Sequence, residues 1–329
     1  MRALIVSVVV LLVSSCGATS NETNAAAGKP RTAKQDETQD ETPVLSLFGH
    51  PLPPLEFPDD VRADFENRLA AAKADYEASP ENTDALIWLG RRLAYLGRYR
   101  EAIEVFSRGI ELHPDDARFY RHRGHRYITT RQFERAIVDL ETATDLVADE
   151  EDQIEPDGLP NERGIPTSTL QTNIWYHLGL ARYLEGDFAA ALEAYEECMK
   201  LSKNPDMLVA TTHWLYMTLR RLGRREAAAA LLEPIPEDLD IIENHDYYRL
   251  LLFYRGEIGE DEVAGAESDG PGSAAARYGL GNWHLYEGRP ERAEEIFLDL
   301  LESQQWAAFG YLAAETEIVG LNRQPQLQN

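Results

Sequence analysis

From about residue 83 the chain repeats itself, and this limits its fold more than any single motif does. ALIWLGRRLAYLGRYREAIEVFSRGIELHP aligns with FYRHRGHRYITTRQFERAIVDLETATDLVA at a shift of 34 residues. Gly90 falls on Gly124, Leu93 on Tyr127, Tyr99 on Phe133 and Ala102 on Ala136. Such a period marks a helix-turn-helix unit that cannot bury its own apolar face, so successive copies must stack. The residue types fit that packing. Small side chains at Gly90 and Ala102 let the two helices of a unit cross closely. Tyr99 and Phe106 fill the space between hairpins, and Pro114 stops the second helix. No strand-like alternation recurs, so the fold is expected to be all-α.

Four further copies follow. NIWYHLGLARYLEGDFAAALEAYEECMKL keeps Leu178, Gly179, Gly186, Phe188, Ala191 and Tyr195 in register, and Cys198 takes the place of Gly109 and Ala143. HWLYMTLRRLGRREAAAALLEPIP keeps Gly223, Ala228 and Leu232 but has Tyr216 where glycine is preferred. HDYYRLLLFYRGEIGEDEVAG has a stunted second helix, and ARYGLGNWHLYEGRPERAEEIFLDLLE restores the pattern. A helix from Asp60 to Glu77, ended by Ser79-Pro80, caps the first copy, and another from about Trp306 to Glu317 closes the last. The period and these residues resemble the tetratricopeptide (TPR) repeat. The resemblance implies an all-α TPR solenoid, a right-handed superhelix of helix-turn-helix repeats, over residues 58–322, with a short tail at 323–329. Gly124 and Gly179 are 55 residues apart instead of 34, so an insert of 21, at about 149–169, separates the second and third copies. A loop this long is usually functional or disordered. It reads either as solvated or as an ordered flap against the array.

Ahead of the array lies an address. Arg2 precedes an apolar run over residues 3–13, too short to span roughly 30 Å of hydrocarbon, which reads as a secretory signal peptide. Val13-Ser14-Ser15-Cys16 resembles the lipobox of bacterial lipoproteins. That resemblance implies removal of residues 1–15, acylation of Cys16 and a membrane anchor in the cell envelope, at the outer membrane facing the periplasm. Residues 16–57 hold no sustained period and read as a flexible linker. Within it Val44-Leu45-Ser46-Leu47-Phe48 is apolar enough to dock on the body or on a partner. Cys198 is then the only free thiol, packed as a small hydrophobe.

The formal charge of −25 argues against nucleic-acid binding, which needs a basic face. Two cysteines build neither a disulfide framework nor a four-thiolate zinc site. His122 and His125 share a helix face, but four arginines surround them and no carboxylate stands at metal-ligand spacing. No Walker loop, GxSxG or HExxH occurs. We therefore expect no enzyme, no cofactor and no metal.

The TPR resemblance instead implies binding along a concave wall of first helices. Carried over copy by copy, that wall takes Asp84, Arg91 and Tyr95 from the first repeat, then Arg118, Arg121, His125 and Thr129 from the second. Asn173, Tyr176 and Tyr183 come from the third, His213, Met217, Arg220 and Arg221 from the fourth, and Tyr278, Asn282 and Tyr286 from the sixth. The set is basic and aromatic. Arginine holds carboxylates through two parallel bonds, and tyrosine offers area at low entropic cost. The expected ligand is an extended peptide whose acidic or C-terminal carboxylates meet Arg118 and Arg121. The order from His213 onward, with the lipobox and tether, resembles the new lipoprotein I family of periplasmic TPR adaptors. That implies a homodimer bringing cell-wall endopeptidases to a processing protease. A structural or self-associating envelope lipoprotein is the alternative, and an unrecognised hydrolase is a more remote one.

Overall fold

The computed structural model describes residues 43–236, 238–264 and 271–323. Its elements are α-helices throughout: α1 (Asp59–Ala78), α2 (Thr83–Tyr95), α3 (Tyr99–Leu112), α4 (Ala117–Thr129), α5 (Phe133–Leu146), α6 (Leu170–Glu185) and α7 (Phe188–Leu201). Then come α8 (Pro205–Arg221), α9 (Arg225–Leu232), α10 (His245–Tyr254), α11 (Glu260–Ala264), α12 (Pro271–Tyr286), α13 (Pro290–Leu301) and α14 (Phe309–Arg323). Among the described residues there is no strand, only two isolated bridges. The expected signal peptide and lipidation site Cys16, the first part of the expected linker and residues 324–329 lie outside the described residues.

The first helices of the first four hairpins, α2, α4, α6 and α8, each start at a polar residue that accepts from an otherwise orphaned amide. Asn82 Oδ1 accepts from the amide of Ala85, Asp116 Oδ1 from Arg118, and Asn204 Oδ1 from Met207. Inside a hairpin, the ring of the second helix lies on a glycine of the first. A Cβ on Gly179 would come within 2.7 Å of the Tyr195 ring, and one on Gly90 or Gly281 would collide with Phe106 or Phe297 in the same way. Ala102, Ala136, Ala191, Ala228 and Ala293 are fully buried at the crossing. Cys198 is fully buried beside Thr211, and burial pushes its thiol up to about 11. The fifth hairpin is stunted, α10 and α11 having 10 and 5 residues. In the fourth, Tyr216 takes the glycine place and stacks on Tyr254 of α10, ring centroids 4.2 Å apart.

Three additions to the repeat cover its inner side. The insert is ordered: Ile154 bridges Thr169, and the amide of Leu170 donates to the carbonyl of Gln153. Arg163 ties it to Asp240, Thr167 ties it to Glu243, and Arg92 of α2 donates to the carbonyl of Gly158 at 2.7 Å. The end of the expected linker is packed as well. Residues 43–57 lie on the array, with Val44, Leu47, Leu52 and Leu55 against its core and Leu45 and Phe48 exposed. The indole of Trp306 donates to the carbonyl of Pro53 at 2.9 Å. Finally, α14 starts three residues later than the sequence suggests. It covers α12 and α13 as a cap should, and it also reaches α6.

One clasp holds the last two of these pieces to the array. The turn between the helices of a hairpin needs a residue at positive φ, which is Gly97 (φ +79°) in the first repeat. In the second it is Arg131 (φ +61°), the one non-glycine residue at positive φ among those described. Its guanidinium pairs with Glu315 of α14 at 3.0 Å and donates to the carbonyl of Trp306. Both side chains are sealed, at 3% and 0% exposure, and Glu315 also accepts from the amide of Leu47. Breaking a buried pair from one side leaves the other charge uncompensated, a loss of about 3–5 kcal/mol. Arg131→Gly, although it relaxes the backbone, and Glu315→Ala should each lower unfolding stability by that order. The double variant should lose far less than the sum in a denaturant double-mutant cycle. Additive losses would show that the pair is not coupled.

Candidate peptide-binding wall

The first helices α2, α4, α6, α8, α10 and α12 stand side by side, and their inward side chains form three groups. The first lies under the insert. Glu155, near the base of the insert, turns its carboxylate onto α4 and α6: Arg121 Nε is 2.9 Å from Oε2, and Asn173 Nδ2 donates to the same oxygen at 3.1 Å. Arg121 also donates from Nη1 to His122 Nδ1 at 3.0 Å, which leaves the imidazole hydrogen on Nε2, facing Glu155 Oε1 at 3.8 Å. Arg91 lies over the Trp88 ring and donates to Tyr95 Oη at 3.4 Å. Gly158 of the insert sits so near Tyr95 Oη that no Cβ fits there. Arg118, at the rim, forks onto Asp116 and reaches Asp84 at 2.8 Å. Those bonds, the Asp116 bond first, hold its pKa above the usual arginine value.

The second group is closed by the start of α14. His125 packs on His177 with centroids 4.3 Å apart, Phe309 lies 5.4 Å from the His125 ring, and Tyr176 Oη meets Tyr247 Oη at 3.2 Å. Thr129 is buried, its hydroxyl bonded to the carbonyl of His125. The third group is interior. Tyr278 Oη donates to Tyr183 Oη and Asn282 Nδ2 donates to the same oxygen, both at 2.9 Å. Arg221 bonds Asn282 Oδ1 and pairs with Glu317 of α14. His213 and Met217 are fully buried, His213 Nδ1 lying 3.3 Å from Tyr254 Oη. At the far edge Arg220 pairs with Glu287 and lies 4.2 Å over Tyr286.

The wall is therefore not open along its length. Tyr176, Tyr183, His213, Tyr278 and Asn282, which the repeat register assigns to a concave surface, are interior residues, because α14 folds over the face they were expected to present and, at His213, α10 packs its Tyr247 and Tyr254 rings against it. Accessible space remains at the first two hairpins. A cavity of about 230 Å³ is lined by Asp84, Trp88, Arg91, Arg118, His122 and Glu155. A wider cleft of about 680 Å³ runs past Thr83, Pro114, Asp116, Arg118, Leu146 and Gln171. Trp88, Arg92 and Glu155 belong to this site and were not singled out from sequence. The acidic start of the insert was the only signal for Glu155. Among the described residues no group of three or more His, Cys, Asp or Glu is arranged to hold a metal ion.

Residues 83–126 and 172–205 each match a family model described as tetratricopeptide repeat, covering α2 to α4 and α6 to α7. Both stretches are tetratricopeptide repeats. No curated protein matches it in sequence. Among solved structures it is similar to YrrB, described as a TPR protein with an unusual peptide-binding site. That likeness has 17% identity and a TM-score of 0.40, over 75% of this chain and 98% of that one. It is similar also to MamA from Desulfovibrio magneticus, with 19% identity and a TM-score of 0.41, over 53% of this chain and 85% of that one. Likenesses this weak add nothing to what the helices and the two repeat matches establish.

The buried histidines of this TPR wall set a pH limit. Burial, then neighbouring guanidiniums, push His122, His125 and His177 well below 6.5, and burial alone takes His213 down to about 3. Below about pH 6.5 the unfolded chain takes up protons that the folded chain refuses, so stability falls as pH falls. Each of the fully enclosed His122, His177 and His213 removes about 1.4 kcal/mol per pH unit there. Urea unfolding should be level above about pH 7 and weaken steeply towards pH 5.5, with a shallower slope for His213→Phe. A profile unchanged by that substitution would mean His213 is protonated in the fold.

Proposed function

We propose that this protein is a lipid-anchored scaffold of the cell envelope that holds an extended, carboxylate-bearing segment of a partner protein against α2, α4 and α6. TPR arrays bind proteins and peptides, and the observation that carries the finer reading is the occupant of this wall. The chain's own insert lies on it with a carboxylate held by Arg121 and Asn173. The same surface continues past the insert into the cavity and cleft that Arg118 lines. Arg118 is about 38% exposed and its partner Asp84 about 70%, so their bond is weak and exchangeable for an incoming carboxylate. The anchor rests on the Val13–Cys16 motif and the apolar run before it.

Fluorescence polarisation with the purified chain tests the wall. Extended acidic peptides should bind Arg118→Glu roughly tenfold more weakly, since like charge replaces a charge-assisted bond. Arg220→Glu, at the other end, should leave binding unchanged. Gly158→Val, which unseats the insert, should strengthen it. Equal binding by the wild type and Arg118→Glu would reject the site. For the anchor, metabolic labelling with a clickable fatty acid should mark the wild type and not Cys16→Ser, and an unlabelled wild type would reject the address.

A further inference from the structure

Beneath the insert, on the inner side of Arg91 and Glu155, lies a second cavity of about 120 Å³. Arg91, Arg121, Arg126, His122, His125 and Glu155 all line it. Its charges do not balance. Glu155 is the only carboxylate on its wall, and it pairs with Arg121. Asp157, further along the insert, interacts with Arg91 only at longer range, outside ion-pair distance. Arg91 has the Trp88 ring and the Tyr95 hydroxyl, both neutral partners. Arg126 lies 5.4 Å over the Tyr99 ring, and no carboxylate, carbonyl or hydroxyl among the described residues accepts a hydrogen bond from it. The two histidines add nothing, since burial and the surrounding guanidiniums keep them neutral at pH 7. Three guanidiniums against one carboxylate leave two positive charges unanswered.

A guanidinium does not shed its charge, and enclosing one without a counter-charge is strongly unfavourable. Burial lowers Arg126 only to about 10, which leaves it cationic at neutral pH. The rest of the interior shows what this chain does with enclosed arginines. Arg131 has Glu315, Arg221 has Glu317 and Arg123 has Asp139, each as an ion pair. Arg91 and Arg126 depart from that rule, and both line the cavity. Water takes about 30 Å³ per molecule, so the space holds about four waters, or one tetrahedral oxyanion in their place.

We propose that this cavity binds a free inorganic oxyanion of the phosphate or sulfate class, whose double negative charge matches the excess left by Arg91, Arg121 and Arg126. Forked guanidinium donors suit such oxygens. The insert and Gly158 form the outer closure, so the ion sits under them and not on a long carrier. The cavity adjoins the one that Arg118 lines and shares Arg91, His122 and Glu155 with it, but its test uses inorganic ions alone and so fails or succeeds independently of the peptide reading.

Titration calorimetry on the full chain, in chloride buffer near pH 7.5 at constant ionic strength, reads the site directly. Phosphate and sulfate should bind with one ion per chain, while nitrate at the same ionic strength should not. Arg126→Gln should weaken binding roughly tenfold or more, the scale of a lost charge-assisted hydrogen bond. In thermal unfolding the wild type should show a saturating rise with phosphate, and Arg126→Gln only the small linear rise that excluded salts give any protein. Without phosphate, Arg126→Gln should be as stable as the wild type or more so, because an unpaired charge is gone. If that variant does not fold, Glu155→Gln carries the test, and phosphate should bind it about tenfold more tightly. Absent saturable binding, or equal affinity in wild type and variant, overturns the proposal. Preference for phenyl phosphate over inorganic phosphate overturns the free-ion assignment.

Discussion

A large apolar side chain resting on a glycine holds each full hairpin together, Leu140 on Gly124 in the second and an aromatic ring in the others, and the array follows from that contact. Phe106 on Gly90, Tyr195 on Gly179 and Phe297 on Gly281 bring two backbones closer than any side chain on the first helix would allow. The ring is buried by its own hairpin, and the remaining apolar flank of each hairpin is left for the next one. Where the glycine is lost, at Tyr216, the second helix shrinks to the 8 residues of α9 and the aromatic turns to the neighbouring α10 instead. Local packing geometry thus sets how long each hairpin is and which neighbour it leans on.

A second constraint is charge. The chain carries 57 Asp+Glu against 32 Lys+Arg, yet the inner faces of α4 and α8 are rich in arginine. An enclosed arginine needs an anion, and the repeats place few acids facing inward. Elements outside the repeat pattern bring them: Glu155 from the insert, Glu315 and Glu317 from α14. The repeats supply the cations and, apart from Asp139 and Glu287, the additions supply the counter-charges. This is why the additions pack on the inner side rather than trailing in solvent. Arg131 shows how firmly the arrangement is selected. It occupies a backbone conformation that glycine fills at Gly97, and its side chain makes the link to α14 that glycine lacks.

The repeat itself was legible because it is local. A shift of 34 residues brings Gly90 onto Gly124, and the same register places Cys198 in a buried small-residue position and foretells the stunted fifth hairpin. The closure of the wall was not legible. Arg131 and Glu315 are 184 residues apart, and nothing in a chain with so many carboxylates marks Glu315, Glu317 or Glu155 as the ones that turn inward. For the same reason Arg121 was read as a carboxylate-binding residue and Asn173 as a wall residue, while the carboxylate they hold was missed. One trace did exist: position 131 aligns with Gly97, and an arginine at a turn glycine is a departure that asks for a reason.

These two constraints together locate where the molecule is still free to bind. Towards the C-terminus, the arginine Arg221 is answered by α14, and the aromatic interior is closed by the hydroxyl network of Tyr183 and Tyr278. Displacing α14 there would expose Glu315 and Glu317 together with their arginines, so a ligand would have to replace two enclosed ion pairs at once. At α2 and α4 the cover is lighter. The insert is fixed by one enclosed carboxylate, and its tip is held by Arg163–Asp240, a pair exposed on both sides that contributes little. The difference in cost between lifting α14 and lifting the insert confines exchangeable binding to the first two hairpins, whatever the partner's shape.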